Sequence, residues 1–474
     1  VVCAAAIFAG GSAWGQADLP AAPSAVARPL QLTGGVTVEP ARPGAVSLTI
    51  DEAIATALKS NAGIKIRSEQ ERFVHGEQLT AFQTLMPNVS ASGYLRAQEI
   101  DLVALGFKPG SVHIPNVNTS SIPSIVKVNT ENVQLSLSQQ LFNAPAFFLY
   151  RATERAREAT NWATLSERGG VVLETGGLYL KTLADEASVR NAQALLKQDE
   201  LVYEHAKASK DAGVGINLDV LRAQVELRNE QQTLINAQNS VAKDKVMLNR
   251  EMGQPAGQDL ELVDAVPYAE FDANSSDQAI QAALAVAYER RKDLRELEAQ
   301  LAVAKEAHEA LKYERLPTLA LGGFYGVLGE IGGLNHGVFA AEGQLSVPVF
   351  QEAALRGQKE VAVAQEIGLE RQIEGRKAQI EADIRASLLD VQSAAELVKV
   401  ARSNVGLAQE ALDDATMRFT AGVDDNLPVV RAQATLEGAQ ARVIEAEFDY
   451  NYAKLVLARN SGVVETQYRT YLGR

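Results

Sequence analysis

The chain has 474 residues, with 59 acidic against 45 basic side chains and a net charge of −14. That balance excludes a nucleic-acid-binding surface, which needs clustered Lys and Arg; Arg290-Arg291-Lys292 is the one tight basic run and fits a solvated helix face. Cys3 is the only cysteine and lies in an apolar opening segment, so a mature chain without that segment has no disulfide or Cys-metal chemistry.

In chain order, residues 1–10 (VVCAAAIFAG) read as the apolar core of a secretory signal, with small residues suited to cleavage near Gly15 or Ala17; 1–17 is assigned to a signal peptide. Val1 and Val2 make Cys3 a poor lipid-anchor cysteine. Residues 18–47, rich in Pro, Ala and Gly, read as an extended leader. Thr49 and Glu52 then predict a capping box, opening a helix that runs to about Leu85, breaks at Asn61-Ala62-Gly63 and is stopped by Pro87. No later window has the roughly 18 continuous apolar residues of a membrane-spanning helix.

The period then changes. In 132–142, Val133, Leu135, Leu137 and Leu141 alternate with Gln134, Ser136, Ser138 and Gln140. In 338–349, Phe339, Ala341, Leu345, Val347 and Val349 alternate with Ala340, Glu342, Gln344 and Ser346. Such alternation predicts strands with one apolar and one polar face. Segments 88–98 and 318–328 are weaker versions carrying Tyr94, Phe324 and Tyr325. Four strands of about ten residues have the length that crosses a bilayer when tilted. The connection 99–131 is long; 329–337 is short and rich in glycine.

Each strand pair is followed by a long helical stretch, Phe142 to Gly213 and Phe350 to Gly422. At 1.5 Å per residue each would reach about 100 Å, a length typical of coiled coils. A heptad seam is present: Val391, Val398, Val405, Leu412 and Phe419, with Ala394, Ala401, Ala408 and Ala415 between them. The returning segment has Val429, Leu436, Val443, Tyr450 and Leu457 with Ala432, Ala439, Ala446 and Ala453; Val220, Leu227, Leu234, Val241 and Leu248 keep the same phase in the first half. Alanine at one seam position permits close helix approach.

The halves are copies. Residues 212–227 (AGVGINLDVLRAQVEL) and 421–436 (AGVDDNLPVVRAQATL) share ten identities without a gap, 209 positions apart, and 53–94 aligns with 283–324 at an offset of 230. The expected division is therefore a first repeat over 48–253, a linker over 254–280, a second repeat over 281–462 and a tail over 463–474. Four strands cannot close a barrel, and unpaired backbone groups in lipid cost several kcal/mol each, so several chains must share one. The apolar side chains Val133, Leu135, Leu137, Leu141, Phe339, Leu345 and Val347 would face lipid, and the helices would continue the wall as a tube turning back at Gly213 and Gly422.

The sequence resembles the TolC-like outer-membrane efflux family. The resemblance is carried by LTIDEAIATALKSN (48–61), LMPNVSASGY (85–94), DLRELEAQLAVAKEAHEALKYERLPTLALGGFYG (293–326), QQLFN (139–143), VPVFQ (347–351) and the two turn phrases, over roughly 48–462. It implies a mixed, mainly α fold: a homotrimer with a shared twelve-stranded barrel in outer-membrane lipid and a periplasmic tunnel of long antiparallel helices. The implied role is passive conduction from an inner-membrane pump and periplasmic adaptor to the exterior, in efflux or type I secretion. It further implies adaptor contacts at the Gly213 and Gly422 turns and an entrance or gate near Asp219, Arg222, Asp424, Asp425 and Arg431, where acidic rings would favour cations. One departure weakens the selectivity expectation: the ungapped count from Gly422 puts Pro428 and Arg431 where the family's best-known member carries aspartates, and Asp219 matches only in the first repeat. These charges equally fit a solvated turn.

No cofactor, metal or catalytic role is expected. His75, His113, His205, His308 and His336 are scattered, and no nucleotide loop or nucleophile elbow occurs. Gly329, Gly332, Gly333 and Gly337 lie between two strands and fit a hairpin better than a phosphate loop. The rival readings are a periplasmic coiled-coil adaptor, which would be water-soluble, and a stand-alone porin, which would leave the heptads without a purpose. The cargo is left open.

Overall fold

A computed structural model describes residues 34–36, 40–41, 43–107, 122–213, 215–271, 276–421, 423–424 and 426–474. The expected signal peptide, most of the leader, and the Gly422 and Asp425 positions lie outside the described residues. None of the described helices is long and apolar enough to cross a membrane.

The repeat is visible residue by residue. β1 (Val46–Leu48) leads into α1 (Ile50–Ser60), whose start is the expected capping box: Glu52 N donates to Thr49 Oγ1 at 3.2 Å and Thr49 N to Glu52 Oε2 at 2.9 Å. Asn61 caps α1 and α2 (Ala62–Gln83) follows at once. At the offset of 230, Arg291 caps α5 (Asp277–Arg290) and α6 (Lys292–Tyr313) follows. The cap N–H donates to Ala57 O in one copy and to Ala287 O in the other. Each of these helices delivers the chain, past a proline, into a strand.

Those strands are β2 (Asn88–Asp101) and β5 (Thr318–Glu330), with β3 (Ile125–Phe142) and β6 (Asn335–Ser346) as hairpin partners. They form one antiparallel sheet in the order β2-β3-β5-β6, in which the two repeats meet along β3 and β5. Thus β3 starts seven residues before the expected 132, and β6 starts three before and ends three before the expected 338–349. The early end has a cause: Pro348 lacks an N–H, so Val347 and Val349 fall outside the strand. The glycine-rich connection is a hairpin loop over 331–334, with Gly332 at φ 77° and Gly333 N donating to Glu330 O at 2.8 Å.

The long helices are α3 (Ala144–Asp211) with α4 (Asn217–Glu251), and α7 (Glu352–Thr420) with α8 (Leu427–Asn460). The seam between α7 and α8 is buried along Val391, Val398, Ala401, Ala408, Leu412 and Leu436. At the offset of 209, α4 and α8 end alike: Gly253 (φ 68°) and Gly462 (φ 75°) take the left-handed conformation and donate to Arg250 O and Arg459 O. A Cβ at Gly253 would also stand 2.8 Å from Ser60 Cβ. We expect Gly253→Ala to cost about 1–3 kcal/mol from backbone strain and this contact, read as a lowered unfolding midpoint; an unchanged midpoint would contradict the cap.

The chain divides into two compact units, which cut across the repeats instead of separating them. The first comprises Phe73–Arg157 and Gln300–Gly368, and so holds the sheet. The second holds the described parts of Ala27–Arg72 with Glu158–Ala299 and Leu369–Arg474. Its core joins Ile50 and Ile54 of α1, Val172 and Tyr179 of α3, Leu248 of α4 and Leu455 of α8.

The expected linker and tail are built into that core. Residues 260–262 form β4 (Leu260–Leu262), which pairs in parallel with β1. Asp264 then receives Ile50 N at 2.8 Å, Tyr179 Oη at 2.9 Å and Arg474 Nη2 at 2.8 Å. The tail forms α9 (Val464–Leu472), burying Val464, Tyr468 and Leu472 in the same core.

Candidate functional site

Two places carry the residues singled out from sequence. In the sheet of the first unit, register puts Val133, Leu135 and Leu137 opposite Val327, Tyr325 and Gly323 of β5, and Tyr325 opposite Phe339 of β6. With Val89 and Leu95 of β2 and Leu345 of β6, they form one apolar face that the single chain leaves bare: Phe339 is 78% exposed. Leu141 falls at a register shift between Gln140 and Phe142, so it sits on a bulge instead of continuing the alternation. Val347 lies past the strand end.

The opposite face is polar. Asn132, 8% exposed, donates to Gln134 Oε1 at 3.1 Å and to Tyr94 Oη at 3.4 Å; Gln134 donates to Ser136 Oγ at 3.4 Å. Tyr94 carries Arg96 over its ring at 5.2 Å. This ladder of neutral donors and acceptors is suited to contact with water. Among the described residues no strand lies beyond β2 or β6, so the sheet is open at both edges.

In the second unit, the α3–α4 turn is closed by Gly213 at φ 79°, whose N–H donates to Lys210 O at 2.9 Å, and by Gly215 N donating to Ser209 O at 2.9 Å. Asp219 stands in the first turn of α4, where a helix N-terminus favours an anion, with Oδ1 3.6 Å from Arg222 Nη1. Across the repeats, Asn426 Nδ2 donates to Asp219 O at 3.2 Å, tying the start of α8 to the start of α4. Asp424 accepts from Arg418 Nε at 2.8 Å. Arg431 is exposed on the first turns of α8. The structure therefore brings Asp219, Arg222 and the second turn together through Asn426, and gives both Asp219 and Asp424 an arginine of their own.

Sequence reasoning passed over Asn426 and Arg418, and also a buried acidic group near these turns. Asp199 of α3 accepts from Gln433 of α8, and Glu230 of α4 is buried beside Glu437 of α8. Among the described residues no group of three or more His, Cys, Asp or Glu side chains is placed to hold a metal ion. His308 is held by Glu366, with Nδ1 2.6 Å from Oε1.

Comparison with known proteins gives a consistent result. Residues 83–254 and 275–463 match the family described as outer membrane efflux protein. The probable efflux pump outer membrane protein TtgC of Pseudomonas putida is 24% identical over 410 residues, covering 83% of this chain and 79% of that protein. The Campylobacter jejuni CmeC outer membrane channel superposes with a TM-score of 0.72 at 14% identity, over 88% of this chain and 86% of that one. The outer membrane protein VceC of Vibrio cholerae gives 0.71 at 16% identity, over 87% and 96%.

Proposed function

The chain belongs to the outer membrane efflux protein family, and from that premise we propose that three copies build the exit duct of a tripartite efflux or type I secretion assembly. It is an outer-membrane transport protein, of mainly helical fold with a four-stranded antiparallel sheet. Each copy would lend its strands to a twelve-stranded barrel, its bare apolar face toward lipid and its Asn132–Gln134–Ser136 face toward the lumen. The long helices would form the periplasmic tunnel, and the α3–α4 and α7–α8 turns would meet a periplasmic adaptor bound to an inner-membrane pump. Energy comes from that pump; the duct conducts passively, and opening is a shift of population between closed and splayed turns.

The observation that carries this reading is the open sheet. Two unpaired edges beside an apolar face have no stable place in lipid until other strands cover them. A second observation agrees: α7 leaves Leu389, Leu397, Val400 and Leu407 exposed, a stripe separate from the seam it shares with α8. In a trimer, neighbouring helices would cover that stripe.

Planar-bilayer recording of the purified protein tests the reading; discrete channel currents are expected, and a protein that never conducts would overturn it. In the same assay, replacing Asp424 and Asp425 with Ala is expected to change single-channel conductance or cation preference. The Arg418–Asp424 pair is solvent-exposed, so stability should move by no more than about 1 kcal/mol. Unaltered currents would remove these residues from the entrance.

A further inference from the structure

Three carboxyl groups from three helices converge in the second unit: Asp199 on α3, Glu230 on α4 and Glu437 on α8. Asp199 is 7% exposed and Glu230 is 3% exposed. Glu437 stands close enough to Glu230 to oppose its ionisation, and two carboxylate anions have no hydrogen to place between them. Glu230 Oε1 is buried with no partner, which a neutral carboxyl tolerates far better than an anion does.

The charges that bear on Asp199 and Glu230 are acidic. Glu226 comes from α4 itself, Asp199 from α3 and Glu437 from α8; Gln433 on α8 is uncharged, and no basic side chain is among the charges acting on Asp199 or Glu230. α7 packs on this part of α8 through Ala408, Leu412 and Ala415, which carry no charge.

We propose that protons held by the buried Asp199 and Glu230 latch α8 to α3 and α4, and that their loss loosens this contact. Burial, then repulsion from Glu226 and Glu437, pushes Asp199 up to about 6. Burial, then Glu437 and Asp199, pushes Glu230 up to about 7. The direction follows from proton linkage. When an acid's folded-state value is raised, the folded form holds more protons than the unfolded form across that interval. The latch is thus complete below the ordinary carboxylate range and is lost as pH rises through about 6 and 7. Asn426, six residues after the last residue of α7, ties the same α8 to Asp219, so a loosened α8 frees the joined turns. An effect on conduction rests on the exit-duct reading above; the latch itself does not.

Hydrogen exchange followed by mass spectrometry on the full chain in detergent, corrected for the intrinsic pH dependence of exchange, tests the latch directly. Between pH 5 and pH 8, segment 428–440 of the wild type is expected to lose protection by about tenfold or more, the factor of one 1.4 kcal/mol step. The neutral variant Asp199→Asn with Glu230→Gln and Glu437→Gln keeps the shape of the side chains and is expected to lose none. A wild type whose protection does not change, or a variant that changes as much as the wild type, would overturn the proposal. Bilayer conductance at the same two pH values separates the claims: a protein that exchanges as expected but never conducts leaves the latch standing and removes the exit-duct reading.

Discussion

Removing residues 132–142 is expected to leave the protein out of the outer-membrane fraction altogether. β3 is an interior strand, paired along its length with β2 on one side and β5 on the other. Its loss would strand the inner edges of both neighbours, and each unpaired backbone group in hydrocarbon costs several kcal/mol. A point-mutant pair separates this effect from misfolding. Leu135 lies on the apolar face and Ser136 on the polar one. Leu135→Arg should cost about 2–4 kcal/mol at mid-bilayer depth, whereas Ser136→Arg should insert normally. Fractionation of the three variants decides the matter, and normal insertion of the deletion, or equal behaviour of the two arginine variants, would contradict the strand's orientation.

The second large effect is expected at Arg291. This side chain is 7% exposed and holds Asp293 at 2.7 Å and Asp383 at 3.0 Å, with Arg376 3.7 Å from Asp293. Burial alone would raise the Asp293 carboxyl, but hydrogen bonds and charge from Arg291, supported by Arg376 and Arg459, outweigh it and hold the group below the usual range. Arg291→Ala leaves two half-buried carboxylates short of their partner, a loss of about 2–3 kcal/mol, less than for a fully buried pair. The sign of the pH effect follows. A carboxylate with a depressed value stabilises the fold above its ordinary range and loses that contribution as pH falls through the depressed value. The gap between wild type and variant should therefore be widest near neutral pH and narrow in acid. Denaturant unfolding at neutral and acid pH measures it; a gap that widens in acid would contradict this assignment of charge.

Much of the fold was legible because the repeats carry the same local instructions. The break at Asn61 and the stop before Pro87 recur at Arg291 and Pro317, and the structure places helix ends and strand starts at matching offsets. What escaped has identifiable causes. β3 reaches back to Ile125, yet Val126 and Val128 lie on the face opposite to Val133 and Leu135. The apolar parity inverts there, so a period-two pattern begun at Val133 stops too soon. The Leu141 bulge breaks the alternation from the other end. The tail did carry a signal, Val464, Tyr468 and Leu472 spaced by four, which α9 uses to enter the core.

The turn residues were legible as turns from their glycines and shared phrase; their partners were not. Asn426 reaches Asp219 across 207 positions, and Gln433 reaches Asp199 across 234. Carboxylates spaced along coiled helices normally face solvent, so nothing in the spacing marks Asp199 and Glu230 as buried or Glu437 as their neighbour. Only the packing of three helices does that.

Native mass spectrometry of the protein extracted from outer membrane in mild detergent tests the shared barrel most directly. A particle of three identical chains is the predicted result. A single chain, folded and soluble without detergent, would contradict it.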